Sequence, residues 1–420
     1  MARNLHVVML PWSAFGHIIP FFHLSVSLAR NGVHVTFVST PRNIERLPKF
    51  PPDVSNSRLD LVKLPLPQLE GNPLPEGAEA SVDIPFEKIQ YQKVAFDGLK
   101  HPLEQLIISE SPDWIIIDFV SHWMVEIARG IPIAYFCVFS AASNVFLGPP
   151  ESLSNDGVKR LRPSSESLTV QPPWVDFPSS LALHGHESAH FYAGFYGDNA
   201  SGISDACRVA KVLQSCDLVA FRSCMEYEGK YLKLYEKLIH KKVIPVGLLP
   251  PDRPEGLHFL WALRRPIWAA HEDEVLPDGF VERTCSRGIV CMGWVPQMEI
   301  LAHPSIGASL FHAGWGSVIE ILQFGHCLVI LPLIIDQPLN ARMLVERGLA
   351  IEVERRGDGS FTGNEISTAL RLAMVSDEGR ELRANARDAA KMFGNHELHQ
   401  QYARKFVEYL KNNVRKKTLD

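Results

Sequence analysis

The sequence predicts an α/β protein whose two domains each contain a doubly wound parallel sheet. Two observations support this fold class: short apolar runs alternate with helical stretches, and a proline-rich connector divides the chain. Strands that are buried on both faces of a sheet need continuous apolar runs, because neither face meets water. Alternation of strand and helix favours parallel sheets that are covered by helices on both sides.

The first half starts with a strand at 5–10 and a loop that contains Gly16 and His17. The next helix is expected to start at Pro20 and to stop at Asn31-Gly32, because proline favours the first turn and glycine follows the last. Further strands are predicted at 33–39, 114–117, 133–138, 218–221 and 243–246. Residues 41–90 and 149–200 are rich in proline, glycine and serine, so we expect long loops that shape a pocket.

The connector LPPDRP places the domain boundary after residue 248. Strands of the second half are predicted at 259–263, 288–292, 308–311 and 327–331. The predicted division is a first domain at 1–247, a linker at 248–256, a second domain at 257–395, and a C-terminal helix with a basic tail at 396–420. This last segment is expected to pack back on the first domain.

Charge and cysteine content exclude several classes of protein. The chain has 42 basic and 47 acidic residues and no basic stripe, which argues against a nucleic-acid partner. An odd number of cysteines without C-x-x-C spacing indicates a reducing compartment. No apolar stretch reaches the ~18 residues of a membrane span, and the N-terminus does not resemble a signal peptide. We therefore expect a cytoplasmic monomer whose last basic residues, 415–417, form a solvated tail.

A candidate phosphate site lies where a buried strand meets a glycine-containing loop and a helix that we expect to begin at Ser317. Unpaired N–H groups at a helix start attract anions. Gly314 and Gly316 would let a ligand approach the main chain, and His312 could donate a hydrogen bond to a phosphate oxygen. Ser317 and Glu320 can also be read as a capping box that any helix could use.

Two flanking segments extend this site. Trp294 follows one strand, where its indole could stack on a flat heterocycle, and Asp336-Gln337 follows another, where both side chains could bind sugar hydroxyls. Each has a plainer reading, Trp294 as a core residue and Asp336-Gln337 as a turn. Because the carboxyl ends of parallel strands share one crevice, the combined order predicts a nucleotide-sugar site.

Residues 294–337 resemble the signature of plant UDP-sugar glycosyltransferases, which runs from WVPQ through H-x-G-W-x-S-x-x-E to DQ. The resemblance implies a GT-B fold, in which two Rossmann-like domains face a cleft, with a UDP-sugar as donor substrate and no metal or other cofactor. It implies contacts to uracil from Trp294, Val295 and Gln297, to ribose from Glu320, to diphosphate from His312, Gly316 and Ser317, and to the sugar from Trp315, Asp336 and Gln337. The terminal glutamine implies UDP-glucose. Ala313 departs from the family's usual cysteine and Gly316 from its usual asparagine. Because glycine at 316 lacks the side-chain contact to the donor but keeps the main-chain one, weaker binding of the same ligand is expected.

His17 and Asp118 both follow strands of the first domain and are expected to reach the crevice. A histidine that is oriented by a carboxylate is a general-base arrangement, although a single loop histidine is more often structural. The pair matches the catalytic pair of the family. The resemblance thus implies that His17 removes the proton of an acceptor hydroxyl, whose oxygen attacks the sugar and inverts its anomeric configuration.

The resemblance covers nearly the whole chain and includes the opening PWSAFGHIIPFFHLSVSLA, the STPRNIERLP stretch, the run RSC-x-E-x-E and GLLPP. These segments look like the branch of the family that adds a sugar to an existing sugar. The implied acceptors are flavonoid or terpenoid glycosides. An acceptor pocket would be lined by the aromatic residues Trp174, Phe177, Phe191, Tyr192 and Phe195, although loop aromatics are as often packing residues.

One segment of the family pattern is absent. Residues 252–255 alone separate a proline pair from GLHFLWALRRP, where the family has a first strand, a glycine-serine loop and a helix. A strand–helix unit with its crossover needs about 30 residues, so the second domain is expected to lack it and activity to be reduced or absent. One alternative is a catalytically impaired binder of UDP-sugars or glycosides. Another is a nicotinamide-dependent oxidoreductase, against which the absence of G-x-G-x-x-G argues.

Overall fold

The computed structural model describes residues 5–48, 54, 58–154, 161–249, 260–263, 276 and 289–414. The strands of its first half are β1 His6–Leu10, β2 His34–Ser39, β3 Leu59–Lys63, β4 Trp114–Ile117, β5 Ile133–Cys137, β6 Leu218–Phe221 and β7 Lys242–Pro245. They form one parallel sheet of order β3-β2-β1-β4-β5-β6-β7. Successive residues of β1 enter different apolar clusters, Val8 on one face and Val7 on the other. The continuous apolar runs therefore reflect burial on both faces.

Helices cover both faces of this sheet. They are α1 Phe15–Arg30, α2 Pro41–Glu45, α3 Ile89–Asp97, α4 Lys100–Glu110, α5 Met124–Ile127, α6 Ala141–Leu147, α7 Pro150–Leu153, α8 Gly185–Tyr196, α9 Asp205–Ser215 and α10 Met225–Ile239. None of the helices in the described residues combines the length and the hydropathy that a membrane crossing requires.

The predicted start of α1 at Pro20 is wrong. The helix begins at Phe15, so that Gly16 and His17 lie in its first turn and Pro20 lies inside it. Proline cannot donate a main-chain hydrogen bond, but the turn before it is held by the carbonyl of Ala14, which accepts from the N–H groups of His17 and Ile18, each at 2.8 Å. His17 is consequently carried by a helix instead of a loop.

Two segments that were predicted to be loops contain regular structure. Residues 41–90 include the edge strand β3, in which buried Leu59 precedes exposed Asp60. Residues 149–200 include helix α8, where the carboxylate of Glu187 accepts from the N–H of His184 at 2.7 Å and satisfies a free donor of the first turn. Proline and glycine around these short elements masked their periodicity.

The second half contains the strands β8 Leu260–Leu263, β9 Ile289–Met292, β10 Ala308–Phe311, β11 Cys327–Ile330 and β12 Ala350–Glu352. Its helices are α11 Gln297–Ala302, α12 Trp315–Leu322, α13 Gln337–Glu346, α14 Gly363–Met374, α15 Arg380–Phe393 and α16 His396–Asn412. The strands are parallel but split into a pair, β8-β9, and a group of three, β10-β11-β12.

In the first sheet, β1 lies between β2 and β4. In the second half, β8 pairs only with β9 and β10 pairs only with β11 among the described strands. This is the pairing expected if β8 and β10 correspond to β2 and β4 and the strand that corresponds to β1 is lacking. Residues 250–254 of the proline-rich connector and the basic tail at 415–417 lie outside the described residues, and the domain limits stay a prediction.

The two halves share an apolar cluster that runs from the first sheet to α12 and α13. An ion pair also joins them: Glu187 of α8 lies 3.0 Å from the guanidinium of Arg342 of α13, which also contacts Glu352. At the opposite face, α16 buries Phe406 and Leu410 in the second cluster of the first sheet. The indole N–H of Trp114 donates to the carbonyl of Leu410 at 3.1 Å.

Leu410→Ala is expected to destabilise the protein by about 2 to 5 kcal/mol, because it removes a fully buried side chain that attaches the last helix to the first sheet. Urea unfolding followed by circular dichroism measures this change. Glu408→Ala, at an exposed position of the same helix, is the control and should change stability by less than about 0.5 kcal/mol. Equal effects of the two substitutions would contradict the packing described here.

Candidate functional site

His17 and Asp118 form a direct side-chain pair. The imidazole Nδ1 lies 2.8 Å from Oδ2 of Asp118, which stands just after β4, and the carboxylate is only 1% exposed. Asp118 is fixed by the main chain as well, because its oxygens accept from the N–H groups of Trp12 at 3.1 Å and Phe119 at 2.7 Å. Such an arrangement fixes the tautomer with the proton on Nδ1 and leaves Nε2 as the proton acceptor.

The imidazole ring of His17 stands among aromatic side chains. Its centroid lies 5.7 Å from that of Phe119 and 5.3 Å from that of Phe139. The side chain of His17 keeps 12% of its surface exposed. The base is therefore held in one orientation but remains accessible to a ligand.

In the second half, α12 begins at Trp315 with Gly314 as its N-cap, and not at Ser317. Ser317 thus lies within the first turn. The carboxylate of Glu320 accepts from the amide of Gln297 at 2.7 Å, so Glu320 does not close a capping box. The interpretation of Ser317 and Glu320 as a capping box is therefore wrong. The hydrogen bond between Gln297 and Glu320 brings together two residues that are predicted to bind the donor.

His312 and Gly314 approach each other closely. A β-carbon on Gly314 would stand 2.8 Å from Nε2 of His312, so only glycine allows this ring position. Burial lowers the pKa of His312, which makes the neutral imidazole the main form near pH 7. A neutral imidazole can donate one hydrogen bond at the start of α12, as the predicted diphosphate contact requires.

The indole of Trp315 does not face the cleft. It is 3% exposed, stacks on Tyr227 with a centroid distance of 5.6 Å, and donates to the carbonyl of Arg222 at 3.0 Å. The expectation that this side chain faces the sugar is therefore corrected: it packs in the core between the two halves. Only the main chain of Trp315, in the first turn of α12, is left for a donor contact.

The remaining donor-site residues lie just after strands of the second half. Trp294 follows β9 with its side chain 82% exposed, beside half-buried Val295. Asp336 and Gln337 follow β11, and the amide oxygen of Gln337 accepts from the N–H groups of Leu333 and Ile334 at 2.9 and 3.0 Å. An indole this exposed is available for stacking, which argues against the reading of Trp294 as a core residue.

Asn340 connects these segments and was not predicted from the sequence. Its amide nitrogen donates to Oδ2 of Asp336 at 2.7 Å and to the carbonyl of Ala313 at 3.0 Å. Its amide oxygen accepts from Ser140 of the first half at 2.8 Å. One buried side chain therefore joins the loop before α12, the start of α13 and the first domain. The asparagine that ends the D-Q-x-x-N run at 336–340 was the available signal.

The carboxyl group of Asp336 interacts electrostatically with His17. Burial raises the pKa of Asp336 to about 6, against the lowering effects of the hydrogen bond from Asn340 and the charge of His17. Side-chain contacts connect the two residues: His17 packs against Phe139, and the next residue, Ser140, donates to Asn340, which in turn donates to Asp336. The start of α13 and the predicted base therefore lie in one connected region of the molecule.

The aromatic residues that were predicted to line an acceptor pocket are all partly buried against the main cluster. Trp174 donates to the carbonyl of Val145 at 2.7 Å, and Phe177 packs edge-on to Tyr231 at 5.3 Å. Three of them lie on α8: Phe191, Tyr192 and Phe195. Packing explains the first two, and their role in binding an acceptor stays a prediction.

Known proteins were compared with the chain. The family model of UDP-glucoronosyl and UDP-glucosyl transferase matches residues 260–381. UDP-glycosyltransferase 91C1 of Arabidopsis thaliana is 37% identical over 453 residues, covering 97% of each chain. Soyasaponin III rhamnosyltransferase of Glycine max is 36% identical over 464 residues, covering 97% of this chain and 96% of the relative. The chain belongs to the plant UDP-glycosyltransferase family.

The fold agrees with this assignment. The crystal structure of Glycyrrhiza uralensis UGT73P12 complexed with glycyrrhetinic acid 3-O-monoglucuronide superposes with a TM-score of 0.74 at 20% identity, covering 98% of this chain and 96% of the other. The GT-B fold is therefore confirmed. Within the described residues of this glycosyltransferase, no three His, Cys, Asp or Glu side chains are grouped so that they could hold a metal ion.

The comparison also bears on the split sheet of this glycosyltransferase. Its alignment with the Arabidopsis relative extends over 453 residues, although the chain has only 420. Part of the relative therefore has no counterpart here. Together with the division of the described strands into two separate groups, this agrees with the expected lack of a strand–helix unit in the second domain.

Proposed function

We propose that this glycosyltransferase transfers a sugar from a UDP-sugar to a hydroxyl group of a small glycoside with inversion, using His17 as the base and Asp118 to orient it. The observation that carries the proposal is the 2.8 Å contact between Nδ1 of His17 and Oδ2 of Asp118. A base whose tautomer is fixed and whose other nitrogen is accessible meets the geometric need of proton removal from a hydroxyl.

The proposed step balances without a cofactor. Nε2 of His17 takes the proton of the acceptor hydroxyl as its oxygen bonds to the anomeric carbon, and the bond from that carbon to the diphosphate oxygen breaks. The electron pair leaves with UDP, and Asp118 stabilises the imidazolium that forms. One displacement converts an α-linked donor into a β-linked product.

The donor end must stabilise the negative charge that develops on UDP. Main-chain N–H groups in the first turn of α12, the hydroxyl of Ser317 and the ring of His312 are the groups proposed for this role. Uracil would stack on the exposed indole of Trp294, with Val295 at its edge, and ribose would bind Glu320, which Gln297 holds at 2.7 Å. Donors that are fixed before reaction lose little energy to reorganisation.

Glucose is the proposed sugar, on the strength of Gln337. Because its amide oxygen already accepts from two main-chain N–H groups, its amide nitrogen is the part that would donate to a sugar hydroxyl. Asp336 would accept from another hydroxyl. Rhamnose is the second candidate, since one relative of similar identity is a rhamnosyltransferase.

A glycoside of a flavonoid or terpenoid is the proposed acceptor, bound beside the partly buried aromatic residues of α8. One fold relative was solved with a monoglucuronide, which is itself a glycoside. A monomer suffices for this chemistry, because one chain supplies both the proposed base and the proposed donor site.

Ligand-induced stabilisation and turnover test the proposal together. UDP, UDP-glucose, UDP-rhamnose and UDP-xylose would be screened by thermal shift, since a ligand that binds the native state raises its melting temperature. Transfer would then be followed by mass spectrometry with a flavonoid glucoside and with its aglycone. We expect the largest shift with UDP-glucose and a product from the glucoside. The absence of a shift with every uridine nucleotide would remove the proposal.

The second candidate is a UDP-sugar binder with impaired catalysis, which the split second-domain sheet supports. The lack of a central strand would remove apolar contacts from both of its neighbours, and β10 pairs on one side only among the described strands. Stabilisation by UDP-sugars without transfer to any glycoside would favour this candidate. Turnover comparable to that of a full-length relative would exclude it.

A further inference from the structure

Arg222 carries a buried charge that no acidic side chain neutralises directly. It stands at the carboxyl end of β6 and is 1% exposed. Its Nε donates to the carbonyl of Leu248 at 2.9 Å and its Nη2 to that of Leu249 at 3.3 Å. No carboxylate in the described part of the chain forms an ion pair with it. A buried charge normally requires a charged partner, so this cation needs an explanation.

The third nitrogen of the guanidinium points toward the start of α12. Nη1 lies 3.5 Å from the place that a β-carbon on Gly316 would take. The two segments are fixed to each other, because the indole of Trp315 donates to the main-chain carbonyl of Arg222 at 3.0 Å. A guanidinium and the unpaired N–H groups of a helix start therefore meet at one point of the cleft.

The groups around Arg222 do not neutralise its charge, so the guanidinium can still bind an anion. His23 of α1 is the neighbouring titratable group, and burial together with the charge of Arg222 lowers its pKa to about 3, so it stays neutral. Glu320 interacts with Arg222 at longer range and is held by Gln297. The two main-chain carbonyls orient the guanidinium without neutralising it. An anion at the helix start would complete the arrangement.

We propose that Arg222 binds the diphosphate of the donor together with the first turn of α12. This inference rests on the proposed function and adds a first-domain cation to a site that is otherwise built from the second domain. Because Nε and Nη2 already donate to carbonyls, Nη1 would supply the hydrogen bond to a phosphate oxygen, strengthened by the positive charge of the guanidinium. Gly316 leaves the space between the guanidinium and the helix free of a side chain.

Nucleotides of increasing charge distinguish phosphate binding from a structural role. Dissociation constants for uridine, UMP and UDP would be measured by calorimetry for the wild type and Arg222→Met. The control is Arg162→Met, because Arg162 is 2% exposed and its guanidinium also donates to main-chain carbonyls, those of Phe146, Ser167 and Val170. Both substitutions replace a buried guanidinium by an uncharged side chain of similar length.

Arg222→Met is expected to weaken UDP binding by about 10- to 100-fold, the usual effect of losing a hydrogen bond to a charged group, while uridine binding changes by less than about threefold. Arg162→Met should leave all three affinities within that threefold range. Equal losses for uridine and UDP, or no loss for UDP, would overturn the inference. If the methionine variant does not fold, Arg222→Gln, which also lacks the charge but keeps a donor for the main-chain carbonyls, replaces it, and unchanged UDP affinity in that variant would overturn the inference as well.

The wild-type titration separates this inference from the proposed function. If the wild type binds UDP and Arg222→Met binds it equally well, only the role of Arg222 is wrong. If the wild type binds none of the three nucleotides, the proposed function fails and the inference fails with it.

Discussion

His17→Gln is expected to lower kcat by about 10²- to 10⁴-fold, the range that a positioned general base contributes, while the affinity for UDP stays unchanged. Glutamine preserves a polar group of similar length but cannot accept a proton near neutral pH. The carboxylate of Asp118 keeps its two main-chain donors, so the substitution should leave the fold intact. Initial-rate kinetics with saturating donor and calorimetry with UDP measure the two quantities.

Two further variants make this test specific. Asp118→Asn removes the charge that stabilises the imidazolium and allows the tautomer with the proton on Nε2, so it should lower kcat by up to the same factor as His17→Gln. His101→Gln, at an exposed position of α4, should leave kcat unchanged. A His17→Gln enzyme that keeps more than about a tenth of wild-type kcat would contradict the assignment of the base.

Much of the first domain could be predicted because its strands are short, apolar and buried on both faces. The strands at 114–117 and 218–221 were predicted with the bounds that the structure shows. Errors occurred where two rules competed. Pro20 predicts a helix start, although the carbonyl of Ala14 supports an earlier turn, and nearby prolines hide the pattern of the five-residue edge strand β3. Tertiary contacts decide such short elements, and local propensity does not.

Some residues of the candidate site could be predicted from the sequence and others could not. Residues that act from a strand end, such as Asp118 and Asp336, could be placed because sheet topology fixes where strands end. Trp315 could not, since its indole is directed into the core by Tyr227 and Arg222, which lie far away in sequence. Asn340 was missed for a related reason: its partner Ser140 is 200 residues away. Contacts of this kind have no local pattern in a single sequence.

Asp336→Asn is expected to stabilise the protein and to lower its catalytic activity. Burial raises the pKa of Asp336 from 3.8 to about 6, so the native state binds a proton more tightly than the unfolded state does. The stability from this group is complete below pH 3.8 and is lost as pH rises through about 6. At pH 7.5 the wild type bears the full cost of an ionised, largely buried carboxylate, which we put at about 1 to 2 kcal/mol after allowance for solvent screening. Asparagine can still accept from Asn340 and carries no charge.

The same substitution should lower kcat/KM by about 10- to 100-fold, because a hydrogen bond from a sugar hydroxyl to a charged acceptor becomes one to a neutral amide. Urea unfolding at pH 5.0 and 7.5 provides the stability test: the gain from Asp336→Asn should be larger at the higher pH. Asp377→Asn, whose carboxylate is 91% exposed, is the control and should show no such pH dependence. A gain that is equal at both pH values would mean that the carboxylate is not destabilised by burial. Unchanged kcat/KM would separately exclude a contribution of Asp336 to sugar binding. The carboxylate would then be costly to bury without any benefit to catalysis.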